Sequence, residues 1–143
     1  DLRRARNSLV NIIPTSTGAA KCIGKVLKNL EGKLDGMAVR VPVSAGSVTD
    51  FTVQLKKTTT VQELNAKLKH YAETSLKGVL EYSEEELVSS DIIGNSHVSI
   101  LDSKQTKVQG SLIKLLAWYD NEFGYSLQLL NLAEKIMDKV PEA

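Results

Sequence analysis

The 143-residue sequence has few of the features that mark secreted, membrane or nucleic-acid-binding proteins. Its single cysteine, Cys22, excludes an internal disulfide framework and favours a reducing, cytoplasmic setting. No apolar run approaches the roughly 20 residues that a membrane-spanning helix needs, so no membrane partner is expected. The formal net charge of +1 argues against nucleic acid as a partner, because general nucleic-acid binders normally present a strongly basic face.

Signatures of nucleotide and metal sites are also missing. The sequence contains no GxGxxG or P-loop pattern, and His70 and His97 lack the spacing of metal ligands, so no metal site is predicted. Cys22 has no acid–base partner nearby in the sequence and is interpreted as a structural thiol. The sequence begins without Met and within a charged stretch, from which we expect it to be part of a longer protein.

What is present resembles a single globular domain over residues 1–143. Hydrophobic residues make up 42% and charged residues 24% of the chain, which is ordinary for such a domain. Proline and glycine are scattered, so no linker divides the chain. A domain of this length buries about two thirds of its unfolded surface, which is enough for a core.

Hydrophobic periodicity predicts an α+β fold, in which a mostly antiparallel or mixed sheet carries helices on one face. The predicted helices are 18–30, 61–74 and 124–139, and the predicted strands are 37–43, 48–56, 76–82, 97–101, 107–108 and 112–119. Residues 1–16 are expected to be irregular, because Pro14 opposes regular structure. The fold class therefore follows from strands interspersed with helices.

Strand order and helix starts can also be predicted locally. The short link between 37–43 and 48–56 predicts that these strands form an antiparallel pair. The most apolar strand, 112–119, is expected near the centre of the sheet. Thr60 and Glu63 predict a capping box at the start of the second helix. The last helix is expected to bury a stripe consisting of Leu129, Ala133, Ile136, Met137 and Val140.

Hydroxyl groups and a glycine precede the first predicted helix. Thr17 and Gly18 lie where a helix start offers free N–H groups and a partial positive charge to an anion. Threonine is also a common helix cap, and plain capping is the alternative interpretation. On this segment alone, both an anion site and a structural cap stay open.

Arginines supply the second candidate feature. Arg40 interrupts an apolar strand and needs either an anionic partner or solvent, because unpaired burial of its charge is costly. Arg3, Arg4 and Arg6 cluster near the start, and guanidinium groups bind phosphate through paired hydrogen bonds. A solvated charged surface is the alternative in both places.

The segment 118–126 follows the predicted central strand and leads into the last helix. Ligands often lie where strand ends, loops and helix starts converge. Asn121 offers both a donor and an acceptor and could bind an amide. The alternative is that Asp120 or Asn121 caps the helix, while Trp118 and Phe123 pack in a core.

Together these segments resemble one enzyme family, the glyceraldehyde-3-phosphate dehydrogenases. The matching segments are DLRRAR at 1–6, NIIPTSTGAAK at 11–21, GMAVRVP at 36–42 and WYDNEFGYS at 118–126. They occur in the family's order and at about its spacing. The resemblance covers essentially the whole chain and implies the C-terminal part of the catalytic domain.

The resemblance implies roles for six residues. It implies that Arg4, Thr17, Gly18 and Arg40 bind inorganic phosphate or the phosphate of glyceraldehyde 3-phosphate. It also implies that Asn121 contacts the nicotinamide carboxamide of NAD, with Tyr125 close to that ring. A homotetramer is the assembly that the family implies for the full-length enzyme.

The resemblance also has gaps. The family's nucleotide-binding half, its nucleophilic Cys and its partner His find no match here, so no catalytic residue is expected in this chain, which should be inactive alone. Residues 43–50, which follow Arg40, depart from the family's common pattern. The resemblance therefore does not fix which phosphosugar is the substrate. The alternatives are part of an erythrose-4-phosphate dehydrogenase and a non-catalytic phosphate-binding or assembly module.

Overall fold

The computed structural model describes residues 1–138, which divide between Ser44 and Ala45 into two compact units. Each unit contains its own sheet, a two-stranded one before the division and a four-stranded one after it. The described residues form three α-helices and six strands, with antiparallel and parallel pairing. The predicted α+β class is therefore confirmed.

The first unit is a two-stranded ladder with one helix. Its elements are a 3₁₀ turn at Ser8–Val10, strand β1 at Ile13–Ser16, helix α1 at Ala19–Val26, a 3₁₀ turn at Lys28–Leu30 and strand β2 at Met37–Arg40. Strands β1 and β2 pair antiparallel, with Ile13 opposite Arg40 and Ser16 opposite Met37. The ladder therefore sets the end of β1, and with it the start of α1, beside β2.

Two local predictions for this unit are wrong. Residues 13–16 are a strand although they include Pro14, because β1 is an edge strand, where a residue without an N–H is tolerated. The predicted strand 37–43 is β2 and pairs with β1, whereas residues 47–54 pair with residues 112–119, so the predicted pairing of these two strands with each other is wrong. The link between them reads as a hairpin, but Pro42 removes a ladder donor just after β2.

The first predicted helix is shorter than expected. It ends at Val26, and Leu27 leaves helical geometry with φ −103° and ψ 82° before the 3₁₀ turn. Gly24 lies against the returning chain, since a Cβ there would be 3.1 Å from Cα of Glu31. Glycine inside a helix is unfavourable by about 1 kcal/mol relative to alanine, so this segment supports only a short helix.

The second unit is built on a four-stranded sheet. Its elements are β3 at Ser47–Gln54, helix α2 at Val61–Glu73, β4 at Leu80–Ser83, β5 at Ser99–Gln109, β6 at Leu112–Tyr119 and helix α3 at Phe123–Met137. The strand order is β3-β6-β5-β4, in which only β4 and β5 are parallel. Strand β6 lies between two others, as its apolar sequence predicted.

Strand β5 is one continuous strand, whereas the sequence predicted two short ones around a turn. Between Asp102 and Lys107 the register moves five residues along β5 against two along β6. The polar side chains in this bulge are held by hydrogen bonds to neighbouring elements, including Asn65 Nδ2 donating to Ser103 O at 3.0 Å. Thr106 Oγ1 also donates to Asn65 Oδ1 at 2.7 Å, so α2 anchors the bulge.

Helix α2 begins as predicted. Thr60 Oγ1 accepts from the Glu63 amide at 3.2 Å, and the Glu63 carboxylate accepts from the Thr60 amide at 3.0 Å. The bond from the Thr60 amide, together with one from the Thr59 hydroxyl, lowers the pKa of Glu63, because both stabilise its charged carboxylate. The capping box is confirmed.

The predicted buried stripe of α3 is wrong. Leu129, Ile136 and Met137 are 52%, 55% and 73% exposed, and Val140 lies outside the described residues. The opposite face is turned inward because Gly124 is buried, and a Cβ there would lie 3.3 Å from His97 O. Helix α3 therefore presents an apolar surface.

No helix in residues 1–138 has the length and hydrophobicity to cross a bilayer.

At Gly46, in the turn before β3, both the backbone conformation and the lack of space for a side chain require glycine. Its φ is +86°, and a Cβ there would lie 2.6 Å from Ser89 O. We expect Gly46→Ala to lower the free energy of unfolding by about 3 kcal/mol, because a strained φ and a backbone clash add. Gly78, with φ +77° and open surroundings, is the matched control and should cost about 1 kcal/mol. Urea denaturation would compare them, and equal losses would contradict the steric argument.

Candidate functional site

The start of α1 is open to an approaching group. Gly18 is the N-cap residue and makes no side-chain cap, with φ −88° and ψ −3°. No atom lies within 4 Å of the position that a Cβ would take there. Thr17 Oγ1 accepts from the Ala19 amide at 3.2 Å, so its hydroxyl already lies at the helix start. The structure therefore shows Thr17 bonded to the helix start, as the capping alternative expects, and its role in an anion site stays a prediction.

Arg4 lies beside the end of β1. Its Nε donates to Thr15 Oγ1 at 2.7 Å and its Nη2 to Ser16 Oγ at 3.0 Å. Asp1 balances the charge, with Oδ2 3.3 Å from the Arg4 Nε, and both side chains are about half exposed. The structure thus brings the predicted guanidinium to the two hydroxyl residues that immediately precede Thr17.

Arg40 ends β2 and is exposed. It lies opposite Ile13, and Ala38 lies opposite Thr15, so alternation places Arg40 and Thr15 on one face of the ladder. They are offset by two residues, or about 7 Å along the strand. Within residues 1–138, no carboxylate lies within 4.0 Å of the Arg40 guanidinium.

A shallow groove of about 700 Å³ runs along this end of the first unit. It is lined by Asp1, Leu2, Arg3, Pro14, Thr15, Ser16, Gly36 and Met37. It shares the Thr15 and Ser16 hydroxyls with Arg4 but does not include Thr17, Gly18 or Arg40. The hydroxyl pair is therefore where the groove and the predicted phosphate residues meet.

Asn121 lies in the second unit, immediately after β6. Its Oδ1 accepts from the Gly46 amide at 3.1 Å and from Ser47 Oγ at 3.3 Å. Among the described residues nothing accepts from its Nδ2, and the residue is exposed. The amide is thus oriented with its acceptor inward and its donor available. Sequence alone did not predict the Gly46 contact, which spans 75 positions and leaves no local signal.

Tyr125 lies in the first turn of α3 and is 66% exposed. It follows the buried Gly124, whose missing side chain lets the helix start approach His97 O. Tyr125 therefore stands on the accessible side of the helix start, four positions after Asn121.

Asp120 is buried, with 5% of its surface exposed, and lies two positions before Glu122, the N-cap residue of α3. Its Oδ1 accepts from the Glu122 and Phe123 amides and its Oδ2 from the Gly94 amide, each at 2.8 Å. These bonds, that from Gly94 above all, hold the pKa of Asp120 below its ordinary value of 3.8. Neither Asp120 nor Asn121 is thus the N-cap residue that the alternative expected, although the Asp120 carboxylate accepts the first amides of α3 from outside the helix.

A separate polar cluster joins β4 to the chain before β5. Glu81 Oε2 accepts from Asn95 Nδ2 at 2.8 Å and lies 3.1 Å from His97 Nδ1. It borders a groove of about 460 Å³ beside α2. Residues 1–138 contain no group of three His, Cys, Asp or Glu side chains placed to hold a metal, and Cys22 is exposed on α1.

We expect the Asp120 carboxylate to make stability depend on pH in acid. Because its pKa is lower in the folded state, it stabilises the fold above about pH 3.8, and this contribution disappears as pH falls through the lowered value. Asp120→Asn should therefore unfold more easily than the wild type at pH 7, with the difference shrinking below pH 4. Urea denaturation from pH 2.5 to 7 measures this, and a pH-independent difference would contradict it.

Comparison with known proteins identifies the family of the chain. A family model described as the C-terminal domain of glyceraldehyde 3-phosphate dehydrogenase matches residues 1–121. Glyceraldehyde-3-phosphate dehydrogenase of Mycobacterium avium is 56% identical over 132 residues, covering 92% of this chain and 39% of that protein. The enzyme of Borreliella burgdorferi is 55% identical over 140 residues, covering 96% and 42%.

The chain thus spans about two fifths of the length of these curated relatives. The predicted resemblance is confirmed by the family match and by identity above 50% over nearly all of the chain. The chain belongs to the family of glyceraldehyde-3-phosphate dehydrogenase C-terminal domains.

Proposed function

We propose that this chain is part of an NAD-dependent phosphorylating glyceraldehyde-3-phosphate dehydrogenase of glycolysis, to which it supplies phosphate-binding residues and a nicotinamide contact. The carrying observation is the Arg4 guanidinium held by the Thr15 and Ser16 hydroxyls, directly before a helix whose N-cap residue, Gly18, has no side chain. The family membership of the chain supports the activity.

The proposed phosphate site consists of Arg4, Thr17, Gly18 and Arg40. Gly18 leaves open space on the side where a Cβ would stand, and Thr17 contributes a hydroxyl at the same helix start. The exposed Arg40 shares a ladder face with Thr15, which Arg4 contacts. Two guanidinium groups and a helix start suit inorganic phosphate or the phosphate of glyceraldehyde 3-phosphate, because each provides N–H donors to anionic oxygens.

The proposed cofactor contact is made by Asn121 and Tyr125. The donor of Asn121 is free to bind a carbonyl oxygen, because its own oxygen is engaged by Gly46 and Ser47. The side-chain amide therefore fits the carboxamide of nicotinamide, with the exposed Tyr125 ring nearby in the chain. When bound, NAD would supply the hydride acceptor that aldehyde oxidation needs.

This chain contributes binding and orientation, and we propose that the nucleophile and base come from the rest of the enzyme. No residue of the chain is assigned to catalysis. We also propose a cytoplasmic homotetramer. The exposed apolar surface of α3 supports a role within a larger assembly, since such surfaces usually mark contacts with other protein.

In the full-length enzyme, we expect Arg40→Ala to raise the KM for inorganic phosphate about tenfold or more, because a charge-assisted hydrogen bond is lost. The KM for NAD should change little, since Asn121 and Tyr125 lie elsewhere in the chain. Initial rates at varied phosphate and varied NAD separate the two effects.

Lys25→Ala is the matched control, because it removes an exposed cation from the last turn of α1. It should leave the phosphate curve unchanged. A phosphate curve for Arg40→Ala that overlies the wild type would contradict the role of Arg40. An equal rise in KM in the Lys25 variant would show that the effect comes from the change in net charge and not from a contact made by Arg40.

We expect Asn121→Asp and Asn121→Ala to weaken NAD binding alike, by roughly five- to tenfold, because both lose the Nδ2 donor. Asp keeps the oxygen that Gly46 and Ser47 contact, so the comparison isolates the donor. Titration of NAD by fluorescence measures the affinities. Full affinity in Asn121→Asp would show that the amide is used in the opposite orientation.

A further inference from the structure

The buried Asp120 carboxylate joins two separate pieces of the second unit. Its Oδ1 takes the Glu122 and Phe123 amides at the start of α3, as an ordinary cap would. Its Oδ2 takes a different donor, the Gly94 amide, 26 positions away. Capping alone needs only the first oxygen, so the second bond has another consequence.

That consequence concerns the residue next to it. Asn121 lies in the chain between Asp120 and the start of α3, and it bonds a further segment, the turn at Gly46 and Ser47. Gly46 is tightly held, with a backbone oxygen where its side chain would be. Backbone on either side of Asn121 is thus restrained, at β6 by the sheet and at Glu122 by the Asp120 carboxylate.

We infer that Asp120 is a positioning residue for the cofactor contact, in which its bond to Gly94 keeps the Asn121 amide aligned with Gly46 and its donor facing outward. The inference rests on the proposed function, since it assigns Asn121 to nicotinamide. The lowered pKa of Asp120 agrees with this role, because the carboxylate stays charged throughout the neutral range.

Asp120→Asn separates positioning from capping. The Asn oxygen can still accept from the Glu122 and Phe123 amides, whereas its NH₂ would face the Gly94 N–H, a donor against a donor. Glu63→Gln is the matched control, because Glu63 is also a helix-capping carboxylate with a lowered pKa, on α2. A merely structural effect would appear equally in both variants.

The test uses the full-length enzyme with NAD and with thionicotinamide adenine dinucleotide, in which sulfur replaces the carboxamide oxygen. The kcat/KM for NAD divided by the kcat/KM for the thio analogue reports the carboxamide contact. This ratio is insensitive to a general loss of folded enzyme. We expect Asn121→Ala to lower this ratio about fivefold. Asp120→Asn should lower it by a similar factor, and Glu63→Gln should leave it unchanged.

A crystal structure of the Asp120→Asn enzyme without cofactor provides the second measurement. We expect the distance from Asn121 Oδ1 to Gly46 N to increase from 3.1 Å to beyond hydrogen-bonding range. An unchanged distance would overturn the positioning role, whatever the kinetics. Asp120→Glu, which keeps the charge but lengthens the side chain, replaces Asp120→Asn in both measurements if the latter does not fold.

The kinetic outcomes distinguish the two claims. A ratio that falls in Asn121→Ala but not in Asp120→Asn leaves the nicotinamide contact intact and overturns the role of Asp120. A ratio that is unchanged in Asn121→Ala overturns the proposed contact itself, and the inference with it. Parallel losses in Asn121→Ala and Asp120→Asn, absent from the Glu63 control, would support both.

Discussion

Three backbone amides converge on one buried carboxylate, that of Asp120, and their hydrogen bonds hold the junction between β6 and α3. Asp120 keeps its charge because the Gly94, Glu122 and Phe123 amides solvate it in place of water. In return it starts α3 and holds the Gly94 turn against the end of β6. Asn121 and Tyr125 follow shortly after it in the chain, which is why we assign to this interaction the positioning of the proposed cofactor contact.

In the first unit, the proposed phosphate site requires cationic groups that stay available to an anion. Arg4 is fixed by the neutral hydroxyls of Thr15 and Ser16 and only partly neutralised by the half-exposed Asp1. Exposed ion pairs of this kind are weak, about 0–1 kcal/mol, so a phosphate can compete with Asp1 for the guanidinium. At the adjacent helix start, Gly18 adds no side chain and Thr17 accepts from the Ala19 amide.

Prediction from sequence succeeded where the signal is local and failed where pairing is decided at a distance. The capping box of Thr60 and Glu63 and the apolar strand β6 lie in short stretches whose own chemistry specifies them. The pairing of β2 with β1 was missed because a short link resembles a hairpin turn whether or not its flanking strands meet. The apolar stripe of α3 was assigned to a core, yet Leu129 and Ile136 are exposed, because periodicity marks an apolar face without saying what covers it.

The sequence by itself determined the central strand and the capping box of α2, since each rests on residue types within a few positions of one another. It also determined the fold class, from the order of its periodic segments, and the family, from four matching segments spread along the chain. It also marked Thr17, Arg4, Arg40 and Asn121 as groups able to bind anions or amides. Only the tertiary structure decided which way the Asn121 amide faces, since its partner Gly46 lies 75 positions away. It alone decided that the second oxygen of Asp120 binds Gly94, because a hydrogen bond between distant segments depends on how the chain folds back and leaves no pattern in either segment.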